Sequence, residues 1–202
     1  MFLLSPARSD GRRAKLLLNP RAEFPLAVSL REPGGAPIGD VFSFMSELYF
    51  RGKLTYARAF ESDRDRRPPT FVITTDRGLV PPETPVRAED LKRFSEVNIS
   101  AGDDRYLGPL ARDVATLSKT LATDEKVVLL GSIATGKYVD TLLELLGSRL
   151  VFPRDFVGRG DMSRGGLLLR SARAGQELEY IAVGGAIRRG ARPPKLDRLS
   201  RR

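Results

Sequence analysis

The segment "KVVLLGSIATGKYVDTLLELLG", residues 126–147, places an apolar run, a glycine-bracketed loop and a helical pattern in succession. Gly131, four residues, Gly136 and Lys137 match a Walker A phosphate loop up to its last position, where Tyr138 replaces Ser or Thr. Small residues let backbone amides face an anion, and a helix N-terminus behind them supplies a favourable dipole. Gly131, Ser132, Ala134, Thr135 and Gly136 meet that need, and Lys137 adds a point charge. Tyr138 is unsuited to the magnesium-binding role of a short hydroxyl. The loop also comes late in the chain, and no later strand clearly ends in a magnesium-binding Asp. Three readings stay open: an NTPase loop, a turn that only packs, and a ligand-contacting loop of another kind.

Two other apolar runs end in comparable chemistry. Phe2 to Leu4 run into Ser5, Pro6, Ala7 and Arg8, and Phe71 to Thr75 run into Asp76, Arg77 and Gly78. Ligands of open parallel sheets sit beyond the carboxyl ends of the strands. The expected site joins Ser5, Arg8, Arg77, Gly78, Gly131, Ser132, Gly136, Lys137 and Tyr138 around an anionic or sugar-phosphate ligand, with Asp76 as acid or base. Each residue alone has a plainer reading, since Asp-Arg-Gly is ordinary turn chemistry. Their joint placement carries the idea.

Composition narrows the chemistry. The 202 residues contain no cysteine and no histidine, which removes thiolate chemistry together with the commonest general base and metal ligand. No metal and no cofactor are expected. The chain is 41% hydrophobic and 29% charged, which suits one α/β domain over 1–187. The opening Met-Phe-Leu-Leu-Ser-Pro lacks the basic leader of a signal peptide, and apolar runs are too short for a membrane span. A cytoplasmic location away from membranes is the expectation. Of the formal net charge of +9, residues 188–202 carry +6. This basic segment is expected to be a disordered tail, and it offers a phosphate-backbone grip for nucleic acid.

The elements that must position these residues follow from pattern. Asp40 is expected to cap a helix running to about Phe60 and bending near Gly52, and a polar loop covers 61–70. "DRGLVPPETPV" is too rich in proline and glycine for regular structure. A second helix starts near Asp104, where Asp103 and Asp104 read better as a cap than as a catalytic pair. The loop 157–166, with Arg159, Asp161 and Arg164, reads as a mobile flap, and 166–183 reads as a β-hairpin around Ala174 and Gly175. A Pro/Gly-rich insertion covers 19–39. The order of strands and helices predicts a three-layer α/β sandwich with a mainly parallel sheet plus a C-terminal β-hairpin.

The succession "FLLSPAR", "ELYFRGKLTYARAF", "FVITTDRGLVPPETPV" and "VVLLGSIATGKYVDTLLELLG" resembles a group of uncharacterised bacterial domains. These look distantly like the bacterial peroxide-stress protein family and the uracil-DNA-glycosylase-like domain of archaeosine synthase. The resemblance spans residues 1 to about 168, and Ser5, Gly78, Leu79 and Gly131 map onto it. It implies a three-layer α/β fold concerned with nucleobases, modified nucleosides or DNA. This chain departs from the pattern in having Ser5-Pro6 where a Cys often follows the first strand.

The leading expectation is a nucleotide- or nucleoside-processing protein, glycosidase- or transferase-like, using a carboxylate against an oxocarbenium-like sugar. The alternative is a non-catalytic nucleic-acid-binding module that uses the same cleft and the basic tail.

Overall fold

Short runs of Val, Leu, Ile and Phe have no polar face, so they fold only where both faces of a sheet are covered. The computed structural model describes residues 1–61, 70–99 and 102–196. Most of the loop expected over 61–70, and residues 197–202 of the basic segment, lie outside these. Strand β1 (Phe2–Leu4) is buried throughout, as is β6 (Val127–Leu130). Strand β3 (Thr70–Ile73) pairs with β1 in parallel, and β1 pairs in parallel with β6. Phe2 stands beside Thr70 on one side and Val128 on the other, so these three strands end level. Strand β7 (Leu150–Pro153) continues the parallel set next to β6.

The edges are antiparallel. Strand β4 (Leu79–Val80) folds back on β3, and β8 (Tyr180–Ala182) folds back on β7, giving the order β4-β3-β1-β6-β7-β8. A separate two-stranded sheet pairs β2 (Ala36–Pro37) with β5 (Pro85–Val86). The segment 76–86 thus contains two short strands where irregular structure was expected. Gly78, at φ 71°, makes the reversal that starts β4.

Right-handed crossovers assign the helices to layers. Helix α3 (Ile38–Phe60) links β1 to β3 and packs against α7 (Asp161–Ala174). Helices α5 (Asp104–Thr120) and α6 (Gly136–Leu146) pack together on the opposite face. The fold is a three-layer α/β sandwich. Shorter helices α1 (Arg12–Leu17), α2 (Pro25–Arg31) and α4 (Ala88–Glu96) fill the rim, with α2 and β2 formed from the Pro/Gly-rich segment 19–39.

Two expectations about helices need correction. Helix α3 starts before Asp40 and breaks at Glu47 (φ 47°, ψ −121°) instead of bending at Gly52. Arg13 holds that break: it donates to the Phe44 carbonyl at 3.2 Å, pairs with Glu47 and stacks on the Phe44 ring. The C-terminal strand pair is β7 with β8, whereas the residues from 161 to 174, read as flap and first hairpin strand, form α7. Leu, Arg and Ala favour a helix, and Gly175 supplies the left-handed residue that ends it.

Gly52 instead serves the crossing of α3 and α7. A Cβ there would lie 2.7 Å from the Gly165 carbonyl oxygen, and one on Gly165 would lie 2.5 Å from the Leu48 carbonyl oxygen. Both obstacles are backbone, so neither can swing aside. Gly165→Ala is expected to lower the unfolding free energy by roughly 2 kcal/mol, as overpacking a tight contact does. A urea midpoint equal to that of the parent would show that the two helices part without cost.

Candidate functional site

The strand order reverses beside β1: the chain leaves β1 toward β3, then returns past it to β6. Ligand crevices form at such a switch point, beyond the carboxyl ends of the strands. A cavity of about 470 Å³ lies there. Residues 6–10 after β1, Thr75 after β3 and Lys137 in the first turn of α6 line it, and residues 94–99 close it from α4. The segments that follow all three strands therefore reach one cavity, the one after β6 through Lys137.

Its charge is mixed. Arg8 forms a two-bond pair with Asp10, at 3.1 and 3.0 Å, which holds the Asp10 carboxyl below its ordinary range. Glu96 is a second bordering carboxylate. Lys137 stands at the start of α6, whose first turn has no acidic residue and whose N-cap Thr135 makes no side-chain cap bond. Ser9 lines the cavity and is 7% exposed, yet its hydroxyl has no hydrogen-bond partner among the described residues. A buried hydroxyl without a partner is costly, so it marks a position where a ligand group or water completes the bonding.

Behind the cavity lies a packed polar plug. Lys53 of α3 is 1% exposed, and its Nζ donates to the Ser5 carbonyl at 2.6 Å and to Ser5 Oγ at 2.9 Å. The ammonium lies 4.6 Å from the ring centroids of both Tyr49 and Phe50. Burial lowers the Lys53 pKa to about 7; Asp161 raises it and Arg164 lowers it by smaller amounts. Beside Ser5, the Tyr138 phenol donates to the Ser132 carbonyl at 2.9 Å. Gly131 fits against this plug, since a Cβ there would meet the Tyr138 hydroxyl at 2.8 Å and Ser5 Cβ at 2.9 Å.

The expected site residues therefore divide. Arg8 and Lys137 line the cavity. Ser5, Gly131, Ser132 and Tyr138 form the plug behind it, and Gly136 opens α6. Tyr138 points into the protein, so it is not a displaced magnesium ligand. Asp76 turns away into an ion cluster: it accepts from Arg93 at 3.1 Å and lies 3.7 Å from Arg77. Arg77 also pairs with Asp90 and covers the Phe94 ring. Burial tends to raise the Asp90 carboxyl, but the Arg87 amide and the Arg77 and Arg93 guanidinium groups outweigh it and hold the pKa low. Gly78 packs on α5, where the neighbouring Leu79 amide donates to Asp113 at 3.0 Å.

The expected flap is not a cover for this cavity. Arg164 is 9% exposed and donates twice to the Phe156 carbonyl, at 3.2 and 3.1 Å, while also pairing with Asp161. Arg159 donates to the Asp155 and Pro194 carbonyls, and so ties down the basic segment. Arg188 bonds Asp140 of α6 at 2.8 Å. Residues 188–196 thus lie along the body instead of forming a disordered tail, since two prolines favour an extended path and backbone carbonyls find donors on it. Arg189, Arg192 and Lys195 remain exposed.

Sequence pattern missed Lys53, Ser9 and the 94–99 wall. Lys53 had one available signal: it follows Tyr49 and Phe50 at four and three residues, on the apolar face of its helix. Among the described residues no cluster of His, Cys, Asp or Glu could hold a metal ion, and no helix is long and apolar enough to cross a membrane. No protein-family model, curated protein or solved structure matches the chain.

The Asp76 geometry yields a test. Asp76→Asn removes a carboxylate facing two guanidinium groups and is expected to lower stability by about 1–2 kcal/mol at neutral pH. Ligand affinity at the cavity should stay within about twofold. An unchanged melting temperature with lost binding would return Asp76 to the site.

Proposed function

We propose that the protein binds a small phosphorylated ligand, of the nucleotide, nucleoside-phosphate or sugar-phosphate class, in the cavity at the carboxyl ends of β1, β3 and β6. The observation that carries this reading is that residues following β1, β3 and β6 meet at one cavity, the last through Lys137. Its polar equipment suits an anion. Lys137, in the first turn of α6, supplies charge, and the unpartnered Ser9 hydroxyl supplies a further bond. Arg8 adds a planar donor set once it exchanges Asp10 for the ligand. The resemblance of "FLLSPAR" and its companion motifs to nucleobase- and DNA-related domains points toward the same ligand class.

The site also constrains any chemistry. A glycosidase- or transferase-like step would draw its carboxylate from Asp10 or Glu96, which border the cavity, and not from Asp76. Asp10, kept ionised by Arg8, suits a base or an electrostatic stabiliser of a cationic sugar and not a proton donor. The NTPase reading finds no support in this geometry, because Tyr138 is committed to the plug.

Calorimetric titration with AMP, ribose 5-phosphate and adenosine tests the proposal. The two phosphorylated compounds should bind, and adenosine should bind at least about tenfold more weakly, corresponding to about 1.4 kcal/mol. Lys137→Ala should cost the phosphorylated ligands a similar factor while leaving adenosine unaffected. Equal affinity with and without phosphate, or indifference to Lys137, would overturn the anion site.

A further inference from the structure

Lys53 is the buried cation that the ligand reading does not use, and it lies directly behind the site. Its two bonds end on both oxygens of Ser5, the residue between β1 and the cavity wall at 6–10. Tyr138 stands beside Ser5 at Gly131, and its phenol donates to the Ser132 carbonyl in the loop that leads to Lys137. We infer that Lys53 is the positioning residue of the anion site: through Ser5 it fixes the loop after β1 that lines the cavity, and its charge adds to the field that draws the anion. This rests on the ligand reading above.

The bonds at Ser5 depend on the proton. A charged Lys53 has no lone pair, so Ser5 Oγ must accept from it. A neutral amine offers a lone pair, and the Ser5 hydroxyl then has an acceptor in Nζ. Turning toward it loosens the hold of Lys53 on the loop after β1. Loss of the ammonium also removes one positive charge from the carboxyl ends of the strands. Both effects weaken anion binding as Lys53 deprotonates.

The surroundings give this transition a clear signature. The groups facing Lys53 are Asp161 and Arg164 from α7, of opposite charge and paired with each other, and Tyr49 from its own helix. Tyr138 of α6 faces Ser5 from the other side. Burial raises both phenols, Tyr138 to about 12, so neither ionises near neutrality. The chain has no histidine and no cysteine. The α-amino group of Met1 lies at the opposite end of β1, near the Lys126 carbonyl.

Inorganic sulfate, whose charge is constant across the range, is the probe. Wild-type affinity should fall on the order of tenfold between about pH 6 and about pH 8.5, as expected for removal of one nearby buried charge. Lys53→Met should bind weakly with no pH dependence. Ser5→Ala, which keeps the lysine but removes the hydroxyl it holds, should lose most of the dependence and covers the case in which Lys53→Met fails to fold. A pH-independent wild type, or an unchanged profile in Ser5→Ala, would overturn the inference. Amide resonances of residues 5–10 in the free protein separate it from the ligand reading. Their titration with one midpoint, abolished in Ser5→Ala, supports positioning by Lys53 even if sulfate does not bind. Static resonances there would overturn it whatever the affinity.

Discussion

An ammonium group placed at the centre of a protein must find acceptors there, and the contacts of Lys53 organise much of this molecule. A charge in that position loses its hydration, which is why its pKa falls to about 7. Two Ser5 oxygens and two aromatic faces replace part of what water supplied. The surrounding geometry follows from this need. Helix α3 must lie close enough to the end of β1 for the side chain to reach Ser5. The glycine contact between α3 and α7 lets α7 pack over the same helix, bringing Arg164 and Asp161 within electrostatic reach. The Glu47 break, held by Arg13, redirects the helix just ahead of Tyr49, Phe50 and Lys53.

Sheet topology then converts this core device into a surface feature. Strands β1, β3 and β6 end level, and the chain leaves β1 and β6 toward opposite faces. A gap between their departing loops is the geometric result. Helix α4 and the residues after it close that gap from one side, with Arg77, Arg93, Asp76 and Asp90 fixing the turn after β3 against α4. The ion cluster therefore shapes the wall without entering the cavity. Its charges neutralise each other, which leaves Lys137 and the Asp10-paired Arg8 as the positive side chains lining the space.

The three central strands were legible because burial on both faces demands continuous apolar runs, and Phe2–Leu4, Phe71–Ile73 and Val127–Leu130 supply them. Helix α5 was legible because its buried residues recur at helical spacing and Asp103 caps it. The run "GGLLLRSARAG" was misread because three consecutive leucines fit a buried strand or a buried helix equally well. Only the partner decides, and the partner is the α3 surface around Gly52, far away in sequence. Asp76 was misread for a related reason. Its place at a strand end was correct, but nothing local shows that Arg93 waits on the next helix. Ser9 and the 94–99 wall were invisible because neither has a residue pattern that distinguishes lining a cavity from lying on a surface.

The phosphate-loop likeness of residues 131–138 has a physical explanation that does not involve ATP. A strand-to-helix turn beside another strand end needs small residues for close approach, and Gly131 meets that need against Ser5. The helix that follows must begin with exposed amides, and Gly136 and Lys137 suit its solvent-facing first turn. The position after Lys137 decides between the two uses of such a turn. In a Walker A loop it faces the nucleotide and must be a short hydroxyl. Here it faces inward, where a hydroxyl must cross from α6 to the Ser132 carbonyl, and a tyrosine is long enough to do so while its ring fills the core. The same glycine spacing thus arises from one constraint, close packing at a strand end, and the residue at 138 reports that the loop is anchored to the core and not to a metal.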